Sequence, residues 1–202
     1  MKGIKSIVFA VVWTFTQLLW AQASPIPMLE GTANQILTTL KQNKGSLKDN
    51  SQVIYQAVER YLLPNVDVSG MSRSVLGRKA WGAASAADKQ QFSKAFTQLV
   101  IRTYATPLAE YTDETIKFMP IRGSLDSRFI RVNSVIIRSN GKNIPLSYSL
   151  VFTGGDWKIY DLSVEGVSLL QSFRSQFAEA LQNSSMQELI KQMRQHNVSK
   201  AA

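Results

Sequence analysis

The chain has 202 residues, 45% of them hydrophobic, with a formal charge of +9 and no cysteine. The missing cysteines exclude thiol catalysis, disulfide stapling and thiolate-bound zinc or iron–sulfur clusters. The basic charge contains no lysine/arginine tract, which argues against nucleic acid and suits an anionic membrane surface or an acidic partner.

Lys2 and Lys5 precede an uncharged stretch over residues 6–20, and Ala21-Gln22-Ala23 follows. A positive start, a short apolar run and small residues at −3 and −1 predict a secretory signal peptide over residues 1–23, cleaved after Ala23. The run is shorter than the ~20 residues that span a bilayer, and no cysteine follows it to carry a lipid anchor. The expected mature domain is residues 24–202. It has 179 residues and a charge of +7 once Lys2 and Lys5 are gone. That length supports one sizeable core. The mature stretch has no ~18-residue apolar segment, so a soluble exported protein is expected.

The first half of the mature chain has helical periodicity. Met28, Leu29, Ala33, Ile36, Leu37 and Leu40 recur at three- and four-residue spacing until Gly45; Val53, Ile54, Ala57, Val58, Tyr61 and Leu62 do so until Pro64. A short helix is predicted over 67–76, closed by Gly77. The clearest helix starts at Ser85 with Asp88 three residues on, a capping-box spacing. Phe92, Phe96, Leu99, Val100, Thr103, Tyr104, Leu108 and Tyr111 form its stripe, and Pro107 should kink its last turn.

The period then changes to that of strands, predicted over 116–119, 129–138, 144–152 and 157–164. Asn140-Gly141 and Gly154-Gly155 predict two tight hairpins and an antiparallel meander. Ser168 then caps a helix carrying Leu169, Leu170, Phe173, Phe177, Ala180 and Leu181, and an amphipathic stretch over 186–193 precedes a polar tail. No repeat or linker divides the chain. The class expected is α+β, an antiparallel sheet of about four strands with helices packed on one face.

If both hairpins have two-residue loops, the register follows. Phe152 lies opposite Trp157, Leu150 opposite Ile159 and Tyr148 opposite Asp161; Ile144 lies opposite Ile137 and Leu146 opposite Val135. One face then carries Val135, Ile137, Ile144, Leu146, Tyr148, Leu150, Phe152, Trp157 and Ile159. The other carries Pro145, Ser147, Ser149, Lys158 and Tyr160, with Val151 and Leu162 as apolar exceptions. Tyr148 and Asp161 would notch the apolar face, joined by Asn133. That is the one constellation on it with acid–base character, and a tyrosine hydroxyl on a carboxylate is ordinarily structural. The sole histidine, His196, sits in the polar tail. No nucleophile elbow surrounds Ser168, and neither metal-ligand nor calcium-loop spacing occurs. No cofactor is expected.

Three blocks together resemble the MlaC family of Gram-negative toluene-tolerance proteins. The first is Leu62-Leu63-Pro64-Asn65-Val66-Asp67 with Val75-Leu76-Gly77-Arg78 and Trp81. The second is the helix from Phe92 to Arg102-Thr103-Tyr104-Ala105. The third is Trp157-Lys158-Ile159-Tyr160-Asp161, Val164-Glu165-Gly166-Val167-Ser168, Phe173-Arg174 and Phe177. Their order and spacing cover about residues 25–195. The resemblance implies a nuclear-transport-factor-like cone, a curved antiparallel sheet covered by helices, and a non-enzymatic periplasmic carrier of phospholipid. Its partners would be an outer-membrane MlaA-type lipoprotein with a porin and the MlaD-type subunit of an inner-membrane ABC transporter. It further implies acyl chains lying between sheet and helices, held by a monomer. The lining expected is then the apolar sheet face named above, with Leu99 and Tyr104 added from the central helix. The rival readings are an isomerase-like enzyme in the cone and an adaptor that binds no ligand.

Overall fold

A computed structural model of the chain describes residues 22–110, 113–138 and 141–195. Residues 1–21 of the expected leader, together with Tyr111, Asn140 and His196, lie outside the described residues.

Helix α1 (Ile26–Gln42) runs into α2 (Gln52–Ala57), which continues as a π-helical turn over Val58–Leu62 and a 3-10 turn over Leu63–Asn65. Pro64 has no N–H to continue the helix, and the chain leaves it extended. Val66 forms a parallel bridge with Ile159, and the Asp67 N–H donates to the Ile159 carbonyl at 2.9 Å. Asp67 then caps α3 (Val68–Leu76) by accepting the Gly70 N–H at 2.8 Å, and Gly77 leads into α4 (Arg78–Ala83).

The long helix α5 (Ala86–Ala109) begins where Ser85 Oγ accepts the Asp88 N–H at 3.0 Å, and it carries Pro107 inside. It does not bury one stripe. Its first half sinks Phe92, Ala95, Phe96 and Leu99 into one core, and its second half sinks Ile101 and Ala105 into another, while Thr103 is exposed. A helix clamped between two partners in sequence presents a different face to each.

Strands β1 (Thr115–Phe118), β2 (Phe129–Ile137), β3 (Ile144–Thr153), β4 (Asp156–Val164) and β5 (Val167–Ser168) form one antiparallel sheet in chain order. Gly154 and Gly155, at φ 63° and 89°, make the tight β3–β4 turn, a left-handed pair that glycine adopts without strain. Glu165 and Gly166 repeat that shape at φ 51° and 86° and fold the short β5 back on β4. This fifth strand was not anticipated in the sequence. Helices α6 (Leu169–Asn183) and α7 (Met186–Gln195) complete the chain.

Three cores result. One is helical and aromatic: Phe92 meets Phe177 edge-on at 5.6 Å, Phe96 meets Phe173 at 5.3 Å, and Leu189, Ile190 and Met193 of α7 close it. A second joins Leu40, Leu47, Ile54 and Val58 to Ile101 and Ala105. The third lies between α1 and the sheet. The helices are not confined to one face as expected. Tyr160, on the opposite face, packs against the aromatic core, so α1 covers one side of the sheet and the α3–α6 pair abuts the other along β4.

Asp161 is the joint. Its carboxylate accepts the Ser168 hydroxyl at 2.7 Å and the Leu170 N–H at 3.1 Å, while Ser168 Oγ accepts the Gln171 N–H at 3.1 Å. A carboxylate there satisfies free N–H groups and complements the positive end of the helix. Asp161→Ala should lower unfolding free energy by about 1–3 kcal/mol, read from urea denaturation. A loss within error of zero would show that the cap does not hold α6.

Candidate functional site

The inner face of the sheet is set by strand pairing. Ile130, Val132, Ser134 and Ile136 of β2 lie opposite Leu150, Tyr148, Leu146 and Ile144 of β3. On the other side of β3, Phe152 and Leu150 lie opposite Trp157 and Ile159, as expected, and then the register shifts. Tyr160 is the extra residue of a bulge. Asp161 therefore pairs with Ser149 on the outer face, while Leu162 and Val164 come inward opposite Tyr148 and Leu146. Leu29 and Met28 of α1, with Leu62, Val66 and Phe118, pack onto this surface. Val132 and Leu150 are fully buried at its centre.

Two expectations are corrected. Val135 and Ile137 do not face Leu146 and Ile144. Val135 pairs with Pro145 on the outer face, and Ile137, 40% exposed, pairs with Thr115. The β2–β3 connection is not a two-residue turn: it runs from Arg138, whose carbonyl accepts the Gly141 N–H at 3.1 Å, to the start of β3 at Ile144. A register one residue off moves every β2 side chain to the other face. The bulge likewise breaks the expected Tyr148–Asp161 pairing and explains why Leu162 is apolar.

The expected polar notch is therefore not assembled. Asp161 caps α6, and Asn133 accepts the Ser147 hydroxyl at 2.7 Å on the outer face. Tyr148 instead has Ser134 as its polar neighbour, and the Ser134 hydroxyl is buried short of a well-formed hydrogen bond. Burial pushes the Tyr148 phenol upward, which Ser134 opposes in part. A phenol held protonated among aliphatic side chains, with its carboxylate partner removed, is not equipped as a general base. Among the described residues, no group of three or more His, Cys, Asp or Glu side chains gathers as a metal site.

Of the two helical residues expected in the lining, Leu99 packs in the aromatic helical core, not on the sheet. Tyr104 belongs to none of the three cores and is half-buried, with its phenol raised by that burial. The other expected residues, Ile144, Leu146, Tyr148, Leu150, Phe152, Trp157 and Ile159, do gather on the inner face.

That face ends in a recess of about 710 Å³, where Phe152 and Trp157 meet Pro25 and Met28 of the α1 start, with Asn65 and Lys158 at the rim. A smaller recess of about 320 Å³ lies across Met28 and Asn65, beside Arg60, Tyr61 and Gln35. Both rim donors are held by main-chain carbonyl groups: Trp157 Nε1 donates to Ala23 O at 2.8 Å and Lys158 Nζ to Pro64 O at 3.0 Å. Sequence reasoning missed Met28, Asn65 and Lys158, which come from three separate segments and share no motif.

The fold and site define an α+β protein with an apolar layer between one helix and an antiparallel sheet, opening at one end onto a recess lined by Asn65, Asp156 and Lys158 among others. The chain belongs to the MlaC protein family, whose profile matches residues 30–195. It is 32% identical over 170 residues to the toluene tolerance protein ttg2D of Pseudomonas putida, covering 84% of this chain and 79% of that one. It is 27% identical over 183 residues to the intermembrane phospholipid transport system binding protein MlaC of Haemophilus influenzae, covering 89% and 85%. The solved structure of a phospholipid-binding protein from Ralstonia solanacearum, in complex with a phospholipid, superposes with a TM-score of 0.79 at 26% identity, covering 87% of this chain and 97% of that one.

The two sides of β2 give a sharp contrast. Val132→Asp buries a carboxylate at a fully enclosed position and should cost more than about 4 kcal/mol or abolish folding. Val135→Asp, on the outer face, should cost about 1 kcal/mol or less. Thermal melts of both variants check this, and the opposite ranking would restore the register expected from a two-residue turn.

Proposed function

We propose that this chain is a periplasmic phospholipid carrier, exchanging lipid with an MlaA-type lipoprotein–porin complex at the outer membrane and an MlaD-type transporter subunit at the inner one. The observation that carries the reading is the continuous apolar layer from Val132 and Leu150 to Phe152 and Trp157, opening at the recess beside α1. The relative named for phospholipid transport, and the related structure that holds a phospholipid, support it.

The energetics suit a carrier. Each methylene buried from water is worth ~0.8 kcal/mol, so two long acyl chains gain on the order of 20 kcal/mol in a dry apolar site. A bilayer offers nearly the same gain, so exchange is close to neutral and its direction must come from outside the carrier. The recess falls within the ~300–1,000 Å³ common to small-molecule sites. We read it as the entry from which acyl chains part α1 from the sheet. No side chain on that layer is placed for acid–base chemistry, which favours carriage over catalysis.

Met28→Asp tests this at the entry. Met28 lines both recesses and is the third residue of α1. A carboxylate there complements the positive helix end, which offsets part of the apolar contact Met28 makes with the sheet, but its charge opposes acyl entry. Mass spectrometry of an organic extract should find phospholipid in the wild-type exported protein and at least about tenfold less in the variant, with the delipidated form losing no more than about 1 kcal/mol of stability. A wild-type extract free of lipid would refute the carrier.

A further inference from the structure

We propose that removal of the leader after Ala23 turns the mouth of the larger recess into an anion site, which takes the phosphate of the carried phospholipid. The inference rests on the carrier reading and on the predicted cleavage.

The argument starts from one bond. Trp157 is 6% exposed, and its indole N–H is satisfied by the Ala23 carbonyl at 2.8 Å. Cleavage after Ala23 removes that acceptor and opens the donor onto the recess. The same cut makes a new amino terminus at Ser24, on the nitrogen that had been bonded to the lost carbonyl carbon. An α-amino group has a pKa near ~7.7–8.0, so it is largely charged at neutral pH. It donates and cannot accept, so it cannot replace Ala23 as the partner of Trp157.

Processing thus exchanges an acceptor for a cation at one point of the rim. Lys158 and Asp156 line the same recess, the Lys158 ammonium donating to the Pro64 carbonyl at 3.0 Å, so the donors that cleavage frees there are the indole N–H and the new terminus. Gln22 and Ala23 are themselves part of its wall, and Gln22 Oε1 is buried there without a partner. Their loss widens the recess toward the Trp157 ring. A phosphodiester supplies the missing acceptor oxygens and the negative charge, and Phe152 and Trp157 lead from it into the apolar layer where the chains would lie. Charge-assisted bonds of this kind are the strong ones. A free phosphate ester has the same chemistry but no use for the apolar layer.

Of the four tryptophans, Trp13 and Trp20 leave with the leader, so the exported protein shows two indole N–H resonances, assigned with Trp81→Phe. Loading delipidated exported protein from phosphatidylglycerol vesicles should move the Trp157 indole proton downfield and leave that of Trp81 in place. Glycerophosphate at the same concentration should move neither. An extra alanine inserted between Ala23 and Ser24, cleaved after Ala23, restores the carbonyl and displaces the ammonium; it should weaken lipid retention about tenfold, equivalent to one charge-assisted hydrogen bond. The proposal is overturned if intact mass shows the exported chain starting elsewhere than Ser24, if the Trp157 resonance ignores lipid, or if the insertion leaves retention unchanged. An equal response to glycerophosphate would overturn the lipid assignment. Wild-type protein that carries no lipid would sink the carrier reading itself.

Discussion

The pairing of β3 with both its neighbours is the constraint from which the rest of the structure follows. β3 is the central strand of the sheet, and its even-numbered positions from Ile144 to Phe152 all face α1. Because side chains alternate strictly, the register on either side decides which residues of β2 and β4 join that surface. On the β2 side it admits Ile130, Val132 and Ile136. On the β4 side a single bulge at Tyr160 does two things at once. It keeps Leu162 and Val164 inward, and it turns Tyr160 and Asp161 outward to meet the helices on the other face. A bulge bends its strand and re-aims the side chains beyond it; here it joins the sheet to the aromatic helical core.

The helices divide the mechanical labour. α5 is anchored at both ends of its length in different cores, and the Arg102 guanidinium donates to the Met193 carbonyl of α7. That assembly is fastened by interlocked phenyl rings and by the Asp161 cap. α1 meets the sheet more lightly, chiefly through Leu29 with Ile26 and Met28 at its first turns. If one seam is to part while the rest keeps its shape, the α1–sheet contact is a lightly held one, and it lies beside the recess.

Much of this was legible in the sequence, and the misplaced strand faces share a cause. The helix starts at Ser85 and Ser168, the stops at Pro64 and Gly77, and the Gly154-Gly155 turn are local events, each decided by one or two residues. The family blocks located the fold as a whole. The faces of β2 were misplaced because register depends on the length of a connection, and Asn140-Gly141 suggested a two-residue turn where the strands end earlier. Leu162 carried the signal of the bulge: an isolated leucine on an otherwise polar face is what a one-residue insertion produces. Val164-Glu165-Gly166-Val167 carried the signal of β5, two branched residues flanking a turn pair, read instead as a strand end. The stripe on α5 failed for a different reason, since periodicity assumes one partner and this helix has two. The recess was not legible at all, because its rim joins the α1 start, the Pro64–Asn65 corner and the β3–β4 turn, which only folding brings together.

Magnitudes decide how such an interior can hold two acyl chains. Removing packed volume from a core costs roughly 24 cal/mol per Å³, so a standing dry void of about 500 Å³ would cost about 12 kcal/mol. That is comparable to the whole stability of a domain, about 5–15 kcal/mol. An empty dry void of that size would therefore use up most of a domain's stability, and the layer between α1 and the sheet is filled by protein, with Val132 and Leu150 fully enclosed. Chains entering it must replace side-chain contacts with acyl contacts of the same chemistry, so the gain per methylene is partly offset by the packing they displace. The net affinity is then set by the difference between two similar apolar surfaces. In the proposed role the comparison that matters is with the bilayer, which offers nearly the same gain per methylene, so the packing cost in the carrier biases exchange toward return of the chains to a membrane.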